Sequence, residues 1–171
     1  MPNFVKLPLR LSRSVFNVVV ETPRGSPVKL DYDVRHQVFA YGHPLMLGLR
    51  YPYDWGFFPR TRAQDGDPLD ALVLHESATF PGVVMGCRLI GVVCLTEKAE
   101  KKARVRNDRV ICVPDAAANY SDARDVPRAL QKELEHFFEA TAELAKKTIH
   151  IDGWRGPKRA KGLLARHERR R

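Results

Sequence analysis

Asp65-Gly66-Asp67-Pro68-Leu69-Asp70 sets three carboxylates within six residues, directly ahead of the apolar run Ala71-Leu72-Val73-Leu74. Carboxylates this close repel one another unless a cation sits among them, and the apolar run ties their backbone to a core. Gly66 lets the chain turn tightly and Pro68 stiffens it, so the side chains can converge at little ordering cost. The spacing is not that of a calcium EF-hand loop. Hard oxygens with no Cys or His among them suit Mg²⁺ or Mn²⁺ better than zinc. The competing reading is an acidic turn with solvated carboxylates.

Such a loop must be held by a rigid frame, and the flanking sequence reads as short strands. Val15 to Glu21 is β-branched and runs into the turn Thr22-Pro23-Arg24-Gly25-Ser26-Pro27, after which Val28 to Tyr32 alternates apolar with polar residues. Gln37 to Tyr41 reads as another strand, and Tyr51 to Phe58 is an aromatic stretch with breakers inside it, suited to a bulged strand or a pocket wall. Val83 to Thr96 is a long strand with Gly91 at a bend, and Val110 to Val113 is a last one, stopped by Pro114. Many short strands with turns between them predict a small closed or nearly closed barrel. The period then changes: Leu130, Leu134, Phe137, Phe138 and Leu144 fall at the spacing of an amphipathic helix beginning at Pro127, and a shorter helix is expected near Lys158 to Arg166. The fold class is α+β, mainly β, with helices flanking the barrel from the C-terminal side.

A length of 171 residues, 44% of them hydrophobic, allows one domain with a real core, so a single domain over 1–171 is expected. No apolar run approaches the roughly 20 residues of a membrane span, and the first residues lack a signal-peptide core, so a cytoplasmic location is expected. Cys87, Cys94 and Cys112 lie in apolar runs without CxxC spacing and read as reduced core residues. The net charge of +9 favours anionic partners, and much of it sits in residues 158–171. That basic tail reads as a solvated or frayed terminus, with nucleic-acid binding as its other use.

The chain resembles the soluble, metal-dependent inorganic pyrophosphatases of the barrel type. Asp65 to Asp70 is similar to that family's signature, and Tyr51-Pro52-Tyr53-Asp54-Trp55-Gly56 precedes it as the family's Tyr-Pro-x-x-aromatic-Gly stretch does. Pro81-Gly82, Arg88, Gly91-Val92, His136-Phe137-Phe138-Glu139 and Gly153-Trp154 also look like family positions. The resemblance implies a five-stranded OB-like barrel, Mg²⁺ dependence, pyrophosphate as substrate and a homo-oligomer. It implies Asp65 and Asp70 as metal ligands, Asp67 as the acceptor of a proton from the attacking water, Tyr51 in the substrate pocket, and Glu21, Lys29 and Asp31 in the early hairpin, with Lys29 on a phosphate oxygen. Metals and cations around the phosphates would neutralise charge developing in the transition state.

This sequence departs from the family pattern at several of those places. His43 stands where the family has Arg, Trp55 where it has a pocket Tyr, and Thr141 and Ala142 where the helix carries a Tyr-Lys pair. Lys146 and Lys147 follow one turn later and read as a solvated face with some reach back toward the site. Between Thr96 and Val113 two alignments compete. Counting forward keeps Glu97 as a metal ligand but puts Lys102 at a ligand position, as a built-in cation between Asp65 and Asp70. Counting backward from Ile111-Cys112-Val113-Pro114 puts Asn107 or Asp108 at the ligand position and Arg109 at the phosphate-binding Lys position, with Lys102 on an inserted loop. The backward alignment is preferred, because a loop insertion costs less than a strand out of register. The rival functions are hydrolysis of another phosphoanhydride and a catalytically silent barrel that binds nucleic acid or protein. Against the latter, the aromatics lie beside carboxylates rather than beside basic residues.

Overall fold

The computed structural model describes residues 3–117 and 119–169. Its frame is a ring of five strands: Val15–Thr22 (β1), Asp54–Phe57 (β4), Asp70–Val73 (β5), Arg109–Pro114 (β8) and Val84–Ala99 (β6), closed because β6 pairs back with β1. This is the five-stranded, OB-like arrangement that the resemblance implies, and it agrees with the small barrel expected from the strand pattern. Val28–Asp33 (β2) and Val38–Pro44 (β3) form a separate hairpin. The two-residue strand Val105–Arg106 (β7) and the strand Lys147–Arg155 (β9) pair with the far half of β6. Two helices complete the fold, Arg128–Leu144 (α1) and Pro157–His167 (α2).

β6 reaches 16 residues and pairs with four strands, β1, β7, β8 and β9, and its register slips between Leu89 and Gly91 and again between Cys94 and Leu95. Such bulges curl a sheet into closure. Gly91 is required at the first one, since a Cβ there would collide with the Arg155 carbonyl and the Ala123 methyl.

Period-two alternation divides the core. Ala71, Val73, Val92 and Cys94 face one way, packing with Leu163 and Leu164 of α2, while Leu72, Leu74, Val93 and Leu95 face the other way, packing with Leu134, Phe137 and Phe138 of α1. The two faces therefore each have a helical cover. The basic residues up to His167 are not a frayed tail. They stand on α2, which is anchored by the buried Ala160, Leu163 and Leu164. Arg170 and Arg171 lie outside the described residues. Cys87, Cys94 and Cys112 are free and buried, as their apolar surroundings predict. β9 has no counterpart in the expected elements, and Leu144, placed on the apolar stripe of α1, is 38% exposed at the helix end. Among the described residues no helix is long and apolar enough to cross a membrane.

Candidate active site

The acidic loop enters β5, and Gly66 sits there at φ +99°, a left-handed turn between Asp65 and Asp67. The Asp65 Oδ1 accepts a hydrogen bond from the Asp67 N–H at 3.1 Å, which fixes the turn. Asp70 is the first residue of β5 and Arg109 the first of β8, and these strands run parallel with Ala71 opposite Val110. Strand register alone thus sets the carboxylate of Asp70 beside the guanidinium of Arg109, and the two are ion-paired.

A cavity of about 220 Å³ opens between the ring and α1. Around it stand Asp65, Asp67, Asp70, Glu97 and Asn107, the cations Lys29, Arg109 and Lys147, and His43, Tyr51 and Trp55. An adjoining cavity shares Lys29, Asp67, Asp70 and Trp55 and adds Glu21 and Asp31. Residues from eight strands and the acidic loop therefore converge on the two cavities, and the α1 wall contributes Phe137, Phe138, Thr141 and Ala142.

Arg109 is the hub. Its Nη1 donates to Asn107 Oδ1 at 2.8 Å and its Nη2 to Glu97 Oε1 at 2.7 Å, while Lys147 Nζ reaches Glu97 Oε2 at 3.0 Å. Burial pulls the Arg109 guanidinium down to about 10, against the opposing pull of Asp65 and Tyr51, so it remains charged at neutral pH. Lys29 pairs with Asp31 at 2.7 Å. Enclosure pushes the Glu21 carboxyl up to about 7, although it accepts the Tyr32 N–H at 2.9 Å. Desolvation first, and then the Asp65 charge, raise Asp67 above the usual carboxylate range. Burial raises the Tyr51 phenol, whose ring stands edge-on to Phe137 with centroids 5.0 Å apart.

One predicted ligand lies elsewhere. Asp108 points away from the cavity: its carboxylate is 2% exposed, bonded to Arg106 Nε at 2.7 Å and to the Leu95 N–H at 3.1 Å, with Arg159 of α2 at 3.7 Å. In extended chain the neighbours of an outward-facing residue face inward, so Asn107 and Arg109 take the site and Asp108 takes the other side. Lys102 is exposed in the bend after β6 and does not stand among the carboxylates. The built-in cation that the forward alignment assigned to Lys102 is Arg109 instead. Lys147, read from sequence as part of a solvated face, lines the cavity. The missed signal was the alternation Lys147-Thr148-Ile149-His150-Ile151, which marks a strand with Lys147 on the inward row.

Six carboxylates face three cations across the two cavities, a negative surplus with hard oxygen donors, which is the chemistry of a Mg²⁺ or Mn²⁺ site. Among the described residues no three His, Cys, Asp or Glu side chains form a ready cage, because Arg109 and Lys147 hold Asp70 and Glu97. The donor set fits the metal once those cations give way.

The inorganic pyrophosphatase family model matches residues 18–170. The inorganic pyrophosphatase of Methanosarcina acetivorans is 40% identical over 155 residues, covering 89% of each chain, and that of Thermus thermophilus is 35% identical over 164 residues, covering 94% of this chain and 93% of the other. The crystal structure of the T. thermophilus inorganic pyrophosphatase superposes with a TM-score of 0.84 over 96% of this chain and 98% of that one. The Coxiella burnetii inorganic pyrophosphatase gives 0.83 at 30% identity, over 94% and 97%. A five-stranded ring with a carboxylate-lined cavity beneath a helix is the architecture of a phosphoanhydride hydrolase of this type. The chain belongs to the inorganic pyrophosphatase family.

Proposed function

We propose that the protein hydrolyses inorganic pyrophosphate to two phosphates with Mg²⁺ as cofactor, Mn²⁺ being a substitute. The observation that carries this reading is the single cavity in which the Asp65, Asp67 and Asp70 loop faces Lys29, Arg109 and Lys147. Asp65, Asp70, Glu97 and Asn107 would hold the divalent ions. Bound there, such ions supply charge neutralisation for the phosphates and acidification of the attacking water. Asp67, with its raised carboxyl, is suited to take the proton from that water, because a base closer to neutrality transfers protons with less penalty in both directions. Lys29 and Arg109, which line the cavity, would contact phosphoryl oxygens, and a planar guanidinium can do so through two N–H groups at once. Glu21 and Asp31 set the position of Lys29 and the charge beneath it. Thr141 donates back to the Phe137 and Phe138 carbonyls and Ala142 is apolar, so α1 contributes shape more than charge.

Phosphate release from pyrophosphate, measured with and without MgCl₂, tests this reading. Mg²⁺-dependent release is expected, with Asp67→Asn slowing turnover by about 10²- to 10⁴-fold, the range of a general base. Release no faster than with MgCl₂ alone would sink it.

A further inference from the structure

Arg109 is held by more than its ion pairs. Its Cζ lies 5.1 Å from the centroid of the Trp55 ring, inside the range of a cation–π contact, and Trp is the best aromatic partner for one. The guanidinium N–H groups reach Asp70, Glu97 and Asn107, while its central carbon lies over the indole ring. Its buried Nε has no hydrogen-bond partner among the described residues, so the head is oriented without every donor being spent. The two kinds of contact differ in what they compete with. In the proposed reaction Asp70 and Glu97 would hold divalent ions, which would free Arg109 from them. The indole face competes with neither metal nor phosphate, and it leaves the N–H groups along the guanidinium edge open to oxygen.

We propose that Trp55 is a positioning residue for Arg109, keeping the guanidinium stacked over the cavity while its edge passes from the carboxylates to a phosphoryl oxygen of the substrate. This rests on the pyrophosphate reading for the substrate, and on the geometry for the stack. The indole itself is fixed by edge contacts to Phe138 at 5.9 Å and Tyr51 at 6.1 Å, so it offers a rigid platform. The alternative is that Trp55 is merely a hydrophobic wall of the same core cluster.

A double-mutant cycle between Trp55→Leu and Arg109→Lys separates the two, with inorganic phosphate as the probe in Mg²⁺ buffer by calorimetry and with pyrophosphate kinetics alongside. In the Arg109 background Trp55→Leu should raise the phosphate Kd and the pyrophosphate KM by about 3- to 30-fold, with a smaller change in kcat. Trp55→Phe should fall between. In the Arg109→Lys background the same substitution should change either constant less than about twofold, because an ammonium lacks the planar face that the stack orients. Equal fold-changes in both backgrounds, or no change in either, would leave Trp55 a wall and overturn the proposal, as would wild-type protein that fails to bind phosphate. If Trp55→Leu does not fold, the cycle is run with Trp55→Phe and judged by the same criterion. Phosphate binding with coupling but no pyrophosphate hydrolysis would sink the function and keep the stack. Hydrolysis without coupling would do the reverse.

Discussion

Glu21 carries a proton into the neutral range that the unfolded chain would already have lost. Its carboxyl is raised from 4.5 to about 7 by enclosure, so between those values the unfolded state binds fewer protons than the folded one and stability falls as pH rises. The stabilising share is whole below about pH 4.5 and gone above about 7. The shift corresponds to about 3 kcal/mol. Glu21→Gln keeps the acceptor for the Tyr32 N–H and removes the charge, so in metal-free buffer it should melt about 5–10 °C higher than wild type at pH 8 and about equally at pH 4.5. Thermal scans at both pH values check this, and a difference independent of pH would refute it. Asp108 gives a contrasting case. Its carboxylate ties β6 to Arg106 and to Arg159 of α2, and Asp108→Ala leaves the Leu95 N–H without its acceptor. The expected loss is about 1–3 kcal/mol of stability, with pyrophosphate turnover at a permissive temperature within twofold of wild type. The acidic loop was legible in the sequence because its chemistry is local: three carboxylates, a glycine and a proline within six residues. Asp108 was not, since only strand alternation decides between two adjacent polar residues.

At the level of elements the site is a consequence of register. β5 and β8 are parallel, start at the same end of the ring and place Asp70 against Arg109. β9 pairs Ala99 with Lys147, and Glu97 lies diagonally across from Lys147, within reach of a long side chain. The ring strands through Val113 were readable from their β-branched and apolar runs, whereas the two-residue β7 was not. β9 was obscured because polar residues alternate through it, and Lys146, at φ +55°, turns the chain out of α1 with no glycine to announce the turn. α2 was foreseen as a short helix but not as part of the core: its sequence is dense in Lys and Arg, and the buried face is only Ala160, Leu163 and Leu164. Leu164→Ala should therefore cost about 2–5 kcal/mol and lower the melting point by roughly 5–15 °C, whereas Lys161→Ala on the exposed side should leave it within a degree or two. A neutral Leu164→Ala would mean that the basic segment is dispensable to the core.

Over the whole molecule two electrostatic regimes are superposed. The chain carries +9 and draws anions from a distance, while the site itself holds six carboxylates against three cations. A pyrophosphate anion is attracted to the protein yet meets a negative cavity, and divalent ions reconcile the two. Without them Arg109 and Lys147 occupy the carboxylates of Asp70 and Glu97, so metal entry is a competition. Binding to the folded state alone raises stability by about 2.7 kcal/mol at a metal concentration a hundredfold above Kd, which for a chain of this size is roughly 5–10 °C. Mg²⁺ should produce such a shift beyond that of NaCl at equal ionic strength, and Asp70→Asn should abolish most of it. Lys147→Met should act in the opposite sense. Its side chain is 41% exposed, so the metal-free melting point should fall by only a degree or two. Glu97 would then have one fewer competitor, and half of the thermal shift should be reached at a lower Mg²⁺ concentration than in wild type. Melting curves across a MgCl₂ titration read both quantities, and an unchanged midpoint for Lys147→Met would mean that the ammonium does not contest the metal.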